Sequence, residues 1–488
     1  MKRLFLLLAF AVCTVASAQQ YTFRQAEEGF KKAYLPQSIR IVPGVQEGQV
    51  LTVEPKFNMF HTIKGIRIKL FDSELKEIQS IEIGDMKHAH IEHATRIGDN
   101  LHVVMGCVGK RNFYIKHLVV DATTLEVKSD SLLLNIDFSK KEDCYYRTVT
   151  SPNGQNLGVV YSLVDEKAKQ AQTKALLFDN TMHKVWEQSL YYGALEQILL
   201  TDRGELVTST LVEDSESDGT VMLYNAADAS GVKHGECVVK DDIQQMTLLQ
   251  YAGGKVLATA LEQQGGGLLS KALYTGYHVY LFDMNEERLA VDNRHPFSGD
   301  DIRVLENEEK VDLTFLKTNH VCLMDQISTP WGGAVLYHRM WMEGFQNMRT
   351  GASSEKVYSK GILVVNVDTL GNIVWSRGIM QNNQNASWPA VGADIFLHNG
   401  NLCVVTNESK KETDEYTPTQ PAKSSSSFLL ANCALSIYSF TPEGQGSKKM
   451  LATDGKFMLF SPVCAAENGI YYLLTGGYSP QMSRLTIR

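Results

Sequence analysis

The sequence predicts an all-β protein built from repeated four-stranded units that close into a ring. Two observations lead to this prediction. Eight turns that contain glycine recur along the 488-residue chain, each followed by an apolar strand, and a hairpin whose first strand ends in Asp or Asn recurs between them. Stretches with helical periodicity are nearly absent.

The glycine turns mark the connection between the first two strands of each unit, labelled a and b. Glycine is favoured there because a two-residue hairpin turn requires positive φ, which other residues adopt only at a cost. The eight copies are "EGQVLTV" (47–53), "GDNLHVVM" (98–105), "NGQNLGVVY" (153–161), "RGELVTST" (203–210), "GGKVLATA" (253–260), "GGAVLYHR" (332–339), "NGNLCVVT" (399–406) and "NGIYYLLT" (468–475).

The recurring hairpin joins strands c and d of each unit. An Asp or Asn at the end of strand c suits a turn, because its side chain accepts a hydrogen bond from the backbone two residues further on. With strands a and b, it completes a unit that recurs about every 45 to 85 residues. Clear copies are "KLFD" (69–72), "LLFD" (176–179) and "YLFD" (280–283), and weaker ones are "LVVD" (118–121), "NVD" (366–368) and "MLYN" (222–225).

Such a repeat resembles that of β-propellers, whose blades are four-stranded antiparallel sheets. We expect eight blades, with seven as the nearest alternative. A multi-sheet β-sandwich explains the strand density but not the ordered repetition. The last unit ends in "SRLTIR" (483–488) at the c position, so we expect the segment "QYTFR" (20–24) to supply its outer strand and close the ring. The stretch 24–35 is the one expected to be helical.

The resemblance is to the architecture and implies no activity. Kelch repeats carry a double glycine after strand b, and "LLTGG" (473–477) alone fits that pattern. The WD dipeptide of WD40 repeats and the Asp-box of sialidases are missing from the sequence. No characterised functional family is therefore matched.

The N-terminus has the features of a secretory signal peptide over residues 1–18. Lys2 and Arg3 precede an apolar run over residues 4–12, and a small-residue triplet ends at Ala18. We therefore expect an exported protein, periplasmic, at the cell surface or extracellular, with residues 19–488 forming a single β-propeller domain. No later stretch reaches the roughly 20 apolar residues of a membrane helix.

Charge and cysteine usage exclude further classes. The formal net charge is −8, without long single-sign blocks, so nucleic acid is not an expected partner. The cysteines are scattered singly with no CxxC pair, which indicates neither a disulfide framework nor a zinc ribbon. The one pairing that the predicted strands allow is Cys403 with Cys433.

Long connections are concentrated on one face of the predicted ring, which we call the loop-rich face. It carries the b-to-c and d-to-a connections, including three long b-to-c insertions at 262–276, 341–360 and 408–427. Binding residues on rigid scaffolds tend to lie in such loops. The apolar side chains of the second insertion are expected to form a lid or to contact a partner. They are Trp341, Met342, Phe345 and Met348.

The d-to-a connections should bring polar side chains to the mouth of the central channel. Their carboxylates suit Ca²⁺, a cation or a sugar, whereas the alternative is that they are solvated turn residues and strand caps. No cofactor is otherwise predicted. The candidate ligand-binding residues are His88, His90, Glu92, Asp143, Tyr145, Tyr146, Arg147, Asp241, Asp242, Asp300, Asp301, Arg303, Trp388 and Asp394.

The string "KHAHIEH" (87–93) resembles a metal site when taken alone. In a regular strand, alternation places His88, His90 and Glu92 on one face and His93 on the other. The three histidines then cannot all be ligands. We expect His93 to pack between blades as a hydrogen-bonded residue, and metal binding by His88, His90 and Glu92 is a minor alternative.

The sequence favours a binding or interaction module that uses the loop-rich face to hold a glycan, peptide or protein. The alternative is a hydrolase or lyase that cleaves glycans or peptides with acidic residues at the channel mouth. No paired-carboxylate, Ser-His-Asp or Cys-His motif stands out, although catalytic side chains from distant blades can converge. Catalysis is therefore undecided by the sequence.

Overall fold

The structure is a computed structural model of the 488-residue chain. It describes residues 20–29, 38–57, 63–84, 89–165, 167, 170–193, 196–214, 219–239, 243–264, 273–306, 320–346, 353–385, 392–409, 415–416, 433–452, 459, 463–466, 468–476 and 480–488.

The described residues form eight four-stranded antiparallel sheets arranged as the blades of a ring, which confirms the predicted eight-bladed propeller. Blade 1 consists of β2 (Arg40–Pro43), β3 (Val50–Phe57), β4 (Ile63–Phe71) and β5 (Glu77–Ile83), and blade 2 of β6 (His90–Ile97), β7 (Asn100–Val108), β8 (Asn112–Asp121) and β9 (Val127–Asp137). Blade 3 consists of β10 (Asp143–Thr150), β11 (Asn156–Asp165), β12 (Gln170–Asp179) and β13 (Lys184–Leu190). Blade 4 consists of β14 (Gln197–Leu200), β15 (Leu206–Asp214), β16 (Gly219–Asp228) and β17 (Gly231–Val239).

The remaining blades follow the same order from the inner strand outward. Blade 5 consists of β18 (Ile243–Ala252), β19 (Lys255–Gln264), β20 (Leu273–Asp283) and β21 (Arg288–Pro296), and blade 6 of β22 (Val321–Thr329), β23 (Gly332–Gln346), β24 (Ser353–Asp368) and β25 (Ile373–Asn385). Blade 7 consists of β26 (Ala393–His398), β27 (Asn401–Ser409), β28 (Cys433–Phe440) and β29 (Gly446–Ala452). Blade 8 consists of β30 (Cys464–Ala465), β31 (Ile470–Gly476) and β32 (Pro480–Ile487), with β1 (Tyr21–Gly29) as its outer strand.

The N-terminal strand closes the ring as predicted. Strand β1 pairs antiparallel with β32, with Tyr21 opposite Ile487 and Gln25 opposite Ser483. A core cluster that includes Ala26 of β1, Val50 of blade 1 and Tyr472 of blade 8 then joins the last blade to the first. The helix expected over 24–35 is wrong for Arg24–Gly29, because the open edge of β32 supplies backbone partners that outweigh helical periodicity; residues 30–37 lie outside the described chain.

A separate hydrophobic core fills each of the eight boundaries between neighbouring blades. A middle strand therefore buries both of its faces. In β7, Val103 packs towards blade 1 while Val104 packs towards blade 3, and both are fully buried. This arrangement explains why strands b read as nearly continuous apolar runs, whereas the outer strands are largely exposed and polar.

The turns have the predicted chemistry except in blade 4, where β16 continues past Asn225 to Asp228 and the side chain of Asp228 accepts from the Ser230 amide in the c-to-d turn. A glycine with positive φ occupies each of the eight a-to-b turns, for example Gly48 at φ 80° and Gly400 at φ 79°. At the c-to-d turns the strand-ending aspartate accepts backbone hydrogen bonds: Asp72 Oδ1 accepts from the amides of Glu74 at 2.8 Å and Lys76 at 2.9 Å. Asp179 and Asp368 repeat this pattern in blades 3 and 6.

The disulfide between Cys403 and Cys433 does not form. Both residues lie on the neighbouring strands expected, but Cys403 is opposite Ser439 and Cys433 is opposite Ser409. Six residues of strand, about 20 Å at 3.3 Å per residue, separate the two positions, far beyond disulfide reach. Cys403 is a free thiol.

Two connections on the loop-rich face contain regular structure. The 341–360 insertion continues as a long hairpin in which β23 and β24 stay paired out to Gln346 and Ser353. The connection after blade 5 contains a short helix, α1 (Gly299–Glu306). Within the described chain, no helix has the length and apolar character needed to cross a bilayer.

Candidate binding site at the channel mouth

Strand β6, the inner strand of blade 2, contains a β-bulge at Glu92. Ile91 pairs with Met105 and His93 pairs with Val104, so Glu92 is the extra residue. Met105 belongs to the core between blades 1 and 2, whereas Val104 belongs to the core between blades 2 and 3. Because paired residues point to the same side of a sheet, the bulge turns His93 towards blade 3.

Glu92 and His93 both contact the inner strand of blade 3. Glu92 accepts hydrogen bonds from Tyr146 Oη at 2.6 Å and from Thr148 Oγ1 at 2.9 Å. His93 Nδ1 is hydrogen-bonded to Thr150 Oγ1 at 3.2 Å. The prediction that His93 lies opposite Glu92 is wrong, because the strand is not regular there. Its predicted role as a hydrogen-bonded residue between blades is confirmed.

Burial controls protonation at this contact. It lowers the pKa of His93 to about 4, and the nearby charges of Arg40 and His102 act in the same direction. Burial also raises the pKa of Tyr146, and the Glu92 carboxylate raises it further. The imidazole and the phenol are therefore neutral at pH 7, and the contact serves to join blades rather than to transfer protons.

Three other predicted residues form an exposed row on β10. Asp143, Tyr145 and Arg147 alternate with less exposed neighbours, and Tyr145 is 52 % exposed. Alternation directs this row away from the side of Tyr146, towards blade 4. There, Arg147 Nη1 donates a hydrogen bond to the carbonyl oxygen of Glu196 at 3.1 Å.

A cavity of about 390 Å³ lies between blades 4 and 5, beside Glu196. The start of each inner strand and the b-to-c ends of β15 and β16 surround it, so it is at the loop-rich face. Among the described residues that line it there is no lysine, arginine or histidine. Its polar lining includes Glu196, Gln197, Ser209, Thr210, Gln244 and Gln245.

Gln245 anchors this cavity to the next blade. It lies in an irregular part of β18 and has a positive φ of 50°. Its Oε1 accepts a hydrogen bond from the Leu323 amide at 2.8 Å, and its Nε2 donates to Tyr274 Oη at 3.1 Å and to the Val321 carbonyl at 3.2 Å. The side chain is thus fixed, which makes this wall of the cavity rigid.

The structure brings Asp394 against a second carboxyl group, Asp325, which the sequence did not mark. The two groups are hydrogen-bonded to each other, and burial raises the pKa of both; Asp325 raises that of Asp394 further. The Ile395 amide donates to both, at 3.1 Å to Asp325 Oδ2 and 2.8 Å to Asp394 Oδ1. Asp394 Oδ2 also accepts from the Val463 amide. The pair joins blades 6, 7 and 8.

A buried serine and histidine in blade 6 are also in contact. His338 Nε2 lies 2.6 Å from Ser359 Oγ, and Ser359 donates its proton to Gln381 Oε1. The Gln381 amide nitrogen is itself a donor to Thr406 and to the Asn407 carbonyl. His338 must therefore donate to Ser359, and burial lowers the pKa of His338 to about 4. An activated serine would need the opposite polarity.

The predicted residues of the blade 5 to 6 connection belong to helix α1. Ser298 and Asp301 cap its N-terminus reciprocally: Ser298 Oγ accepts from the Asp301 amide at 3.1 Å, and Asp301 Oδ2 accepts from the Ser298 amide at 2.9 Å. Arg303 pairs with Asp300 at 3.0 Å. Burial alone would raise the pKa of Asp301, but its His295 and Ser298 partners outweigh that effect and lower it.

The remaining predicted residues are placed only in part. His90 is exposed on β6, and the backbone of Trp341, Met342 and Phe345 lies in β23. Residues outside the described chain are His88, Asp241, Asp242, Met348 and Trp388.

Metal binding stays a prediction. Within the residues that the structure describes, no group of three or more His, Cys, Asp or Glu side chains is arranged to hold a metal ion. His88 is not among those residues, so the minor site of His88, His90 and Glu92 is untested. Calcium binding by the acidic residues at the channel mouth is likewise untested.

Comparison with known proteins assigns the chain to no family. No family model matches the chain, and no curated protein matches it. Among solved structures, it is similar to the β-propeller domain of the Trilobed protease from Pyrococcus furiosus, at 12 % identity over 85 % of this chain and 94 % of that one, with a TM-score of 0.35. It is also similar to the Nup133 β-propeller domain of Vanderwaltozyma polyspora, at 9 % identity over 82 % and 100 %, with a TM-score of 0.35. The chain spans 59 % of the acylaminoacyl peptidase of Pyrococcus horikoshii, covering 92 % of its own length at 11 % identity and a TM-score of 0.35.

Proposed function

We propose that the protein is an exported binding module that holds a glycan or peptide ligand at the channel mouth of its loop-rich face, between blades 3 and 5. The observation that carries this proposal is the polar cavity of about 390 Å³ between blades 4 and 5. Its volume falls in the range of small-ligand sites, about 300–1,000 Å³. The exposed row of Asp143, Tyr145 and Arg147 extends this site towards blade 3.

The lining favours an uncharged or cationic polar ligand. Gln197, Ser209 and Gln244 provide amide and hydroxyl groups that both donate and accept hydrogen bonds. Glu196 adds a carboxylate, one oxygen of which accepts from the Leu211 amide at 3.2 Å. Because the described lining has no basic residue, the cavity itself offers a phosphorylated or carboxylated ligand no counter-charge, and the basic residue of the extended site is Arg147 on β10.

Two arrangements that resemble catalytic groups are better explained as structural. The alternative of a hydrolase or lyase is therefore less well supported than a binding module. The Ser359 hydroxyl donates away from His338. The Asp325 and Asp394 carboxyl groups are hydrogen-bonded together, whereas glycoside cleavage uses carboxyl groups about 5 to 10 Å apart.

The test is a panel of oligosaccharides and peptides screened for binding and for turnover. Gln244 is exposed at the cavity, so Gln244→Trp should fill it without disturbing the fold and should reduce the affinity of any bound member at least tenfold. Gln445→Trp, in an exposed c-to-d turn on the opposite face, is the matched control and should bind normally. Unchanged binding by the Gln244→Trp variant would refute this location, and turnover of a bound member would favour the enzymatic alternative.

Export rests on the leader sequence and has its own test. A chain with residues 1–18 should be recovered outside the cytoplasm with Gln19 at its N-terminus. A chain that starts at Gln19 should stay in the cytoplasm. Retention of both in the cytoplasm would contradict the proposal.

A further inference from the structure

A cluster of three aromatic side chains lies where the d-to-a connection leaves blade 3, against the outer strand of blade 4. We call Tyr191, Tyr192 and His234 the tyrosine platform. Tyr191 is 68 % exposed, and its ring stacks on the His234 imidazole at 4.0 Å between centroids and 11° between planes. Tyr192 meets Tyr191 edge-on, at 5.0 Å and 84°. One face of the Tyr191 ring is therefore covered by His234, while most of the side chain remains open to solvent.

The platform is held rigidly by a buried asparagine. Asn225 Oδ1 accepts hydrogen bonds from the amides of Tyr191 at 2.8 Å and Tyr192 at 3.1 Å. Its Nδ2 donates to the Tyr192 carbonyl and to Thr208 Oγ1, both at 3.1 Å. Asn225 is fully buried. Three of these four hydrogen bonds fix the backbone of the two tyrosines, so little further ordering is needed when a partner binds.

Negatively charged carboxylates lie near the platform. Tyr192 Oη donates to the exposed Glu236 carboxylate at 3.1 Å. Glu236 and Glu287, after burial, both contribute to raising the pKa of Tyr192 to about 12. Lys233, the nearest base along β17, is directed to Asn285 at 2.9 Å. Val238, on the same face of β17, is 51 % exposed and adds an apolar surface.

We infer that the tyrosine platform is a docking site for an arginine side chain within a basic segment of a partner protein. A guanidinium group stacks on the face of a tyrosine and pairs with a nearby carboxylate, and its alkyl stem packs on apolar surface. The platform offers Tyr191 for stacking, Glu236 for charge and Val238 for the stem. The net charge of −8 would also attract a basic partner from a distance. A neutral sugar could stack on Tyr191 and donate hydroxyl hydrogen bonds to Glu236, but it would lack the charge pairing that an arginine makes with this carboxylate.

The test uses a fluorescent peptide, acetyl-Gly-Arg-Gly-Arg-Gly-amide, and its analogue with citrulline in place of arginine. Citrulline keeps the planar shape but removes the charge. In anisotropy titrations of the full chain, the arginine peptide should bind at least fivefold more tightly than the citrulline peptide. Tyr191→Ala should weaken binding about 3- to 10-fold, and Tyr191→Phe should stay within about twofold, since a cation stacks on either ring. Glu236→Gln should weaken binding and reduce its dependence on salt.

Leu370→Ala is the matched control, because Leu370 is also a large exposed side chain but lies in the c-to-d turn of blade 6, on the opposite face and outside both proposed sites. It should leave arginine-peptide binding unchanged. Tyr191→Ala should leave the binding of any panel ligand at the cavity unchanged, so the proposed cavity site and the tyrosine platform are tested independently. Equal affinity for the two peptides, or no effect of Tyr191→Ala, would overturn the inference. Binding of a neutral oligosaccharide that depends on Tyr191, without discrimination between the two peptides, would replace it with a sugar site.

Discussion

Asp325 and Asp394 share a hydrogen bond between their carboxyl groups across the boundary of blades 6 and 7. Such a bond needs a proton on one of them. Burial raises the pKa of both groups, and the negative charge of Asp325 raises that of Asp394 further. A carboxyl group whose pKa is raised on folding stabilises the fold below its unfolded value, and this contribution is lost as pH rises through the folded pKa.

Replacing Asp394 with asparagine should make the chain less sensitive to rising pH. The side-chain amide introduced at position 394 can donate a hydrogen bond to Asp325 at any pH. Its oxygen can still accept from the Val463 amide, and the Ile395 amide can still donate to Asp325. We expect Asp394→Asn to raise the free energy of unfolding by roughly 1 kcal/mol or more at pH 8 relative to the natural chain. The difference should shrink towards pH 4. Urea unfolding at both pH values measures it.

Asp137→Asn is the control for this comparison, since Asp137 is an exposed carboxyl group at the end of an outer strand. It should change stability by less than about 0.5 kcal/mol at either pH. A larger loss of stability for Asp394→Asn at pH 8 than at pH 4 would contradict the shared-proton interpretation.

His338 should make the protein sensitive to acid. The residue is fully buried, and its pKa is lowered from 6.5 to about 4. For a base with a lowered folded pKa, the unfolded chain binds the extra proton between pH 6.5 and 4, so stability is lost as pH falls through that window. His338→Gln should be less stable than the natural chain at pH 7. As the pH falls, its free energy of unfolding should decline less steeply, with a slope smaller than that of the natural chain by up to about 1.4 kcal/mol per pH unit.

Chemical denaturation at pH 4.5, 5.5 and 6.5 gives the slopes. His183→Gln is the matched control, because the His183 side chain is 84 % exposed. That variant should keep the natural slope. Parallel slopes for His338→Gln and the natural chain would show that His338 does not resist protonation in the fold.

The features that could be predicted from the sequence are those fixed by local geometry. A glycine such as Gly400 marks a turn because positive φ excludes most other residues, and Asp72 marks a hairpin because its side chain caps the amides two and four residues further on. Repetition of these signals predicted the blade order and the count of eight. The edge left open by the last unit predicted the role of the N-terminal strand.

The polar contacts between blades could not be predicted in the same way. Asp325 and Asp394 lie far apart along the chain, and their contact depends on how two inner strands are placed around the axis. The orientation of His93 depends on a bulge at Glu92, and no turn residue in the local sequence indicates that bulge. One extra residue reverses the face of every later side chain in the strand. Periodicity therefore located the inner strands but not which of their side chains meet.

Lys448 and Glu408 form a buried ion pair in blade 7, with an N–O distance of 2.7 Å and side chains each 4 % exposed. Burial raises the pKa of Glu408, and Lys448 opposes that rise. Lys448→Met should leave an uncompensated buried carboxylate and reduce the free energy of unfolding by about 3–5 kcal/mol at pH 8. The loss should be smaller at pH 5, where Glu408 can take up a proton.

The double variant Glu408→Gln with Lys448→Met should recover most of that loss, because it removes both charges together. Lys449→Met, at the exposed neighbouring position, is the control and should have little effect. Equal losses for the single and the double variant would mean that the alkyl chain of Lys448, and not its charge, provides the stability.

The hydrogen bond from Tyr146 to Glu92 should contribute measurably to the cohesion of blades 2 and 3. Tyr146→Phe removes the donor and leaves a half-buried carboxylate with Thr148 as its remaining hydroxyl partner at this contact. Hydrogen bonds to charged groups are worth about 1.5–3 kcal/mol, so we expect a loss of that size in the free energy of unfolding. Tyr145→Phe, one residue away and exposed, should cost less than about 0.5 kcal/mol. Similar losses for the two variants would show that the Glu92 contact adds nothing.

The pairing of β1 with β32 should be required for a stable ring. A chain that starts at residue 38 lacks the outer strand of blade 8, exposes the backbone of β32 and loses Ala26 from the core between blades 8 and 1. An open, unpaired edge favours association with other chains. We expect this truncated chain to have a lower melting temperature and to elute as aggregates in gel filtration.

A peptide of residues 20–29 supplied in trans separates loss of closure from general misfolding. Added during refolding, it should take the place of β1 and restore monomeric elution and most of the melting temperature, because its hydrogen bonds and the contacts of Ala26 and Phe23 do not depend on chain connectivity. A peptide with Phe23→Asp and Ala26→Asp should fail, since both residues pack into cores at the boundaries of blade 8. A truncated chain that stays monomeric and equally stable without any peptide would show that blade 8 closes the ring with three strands.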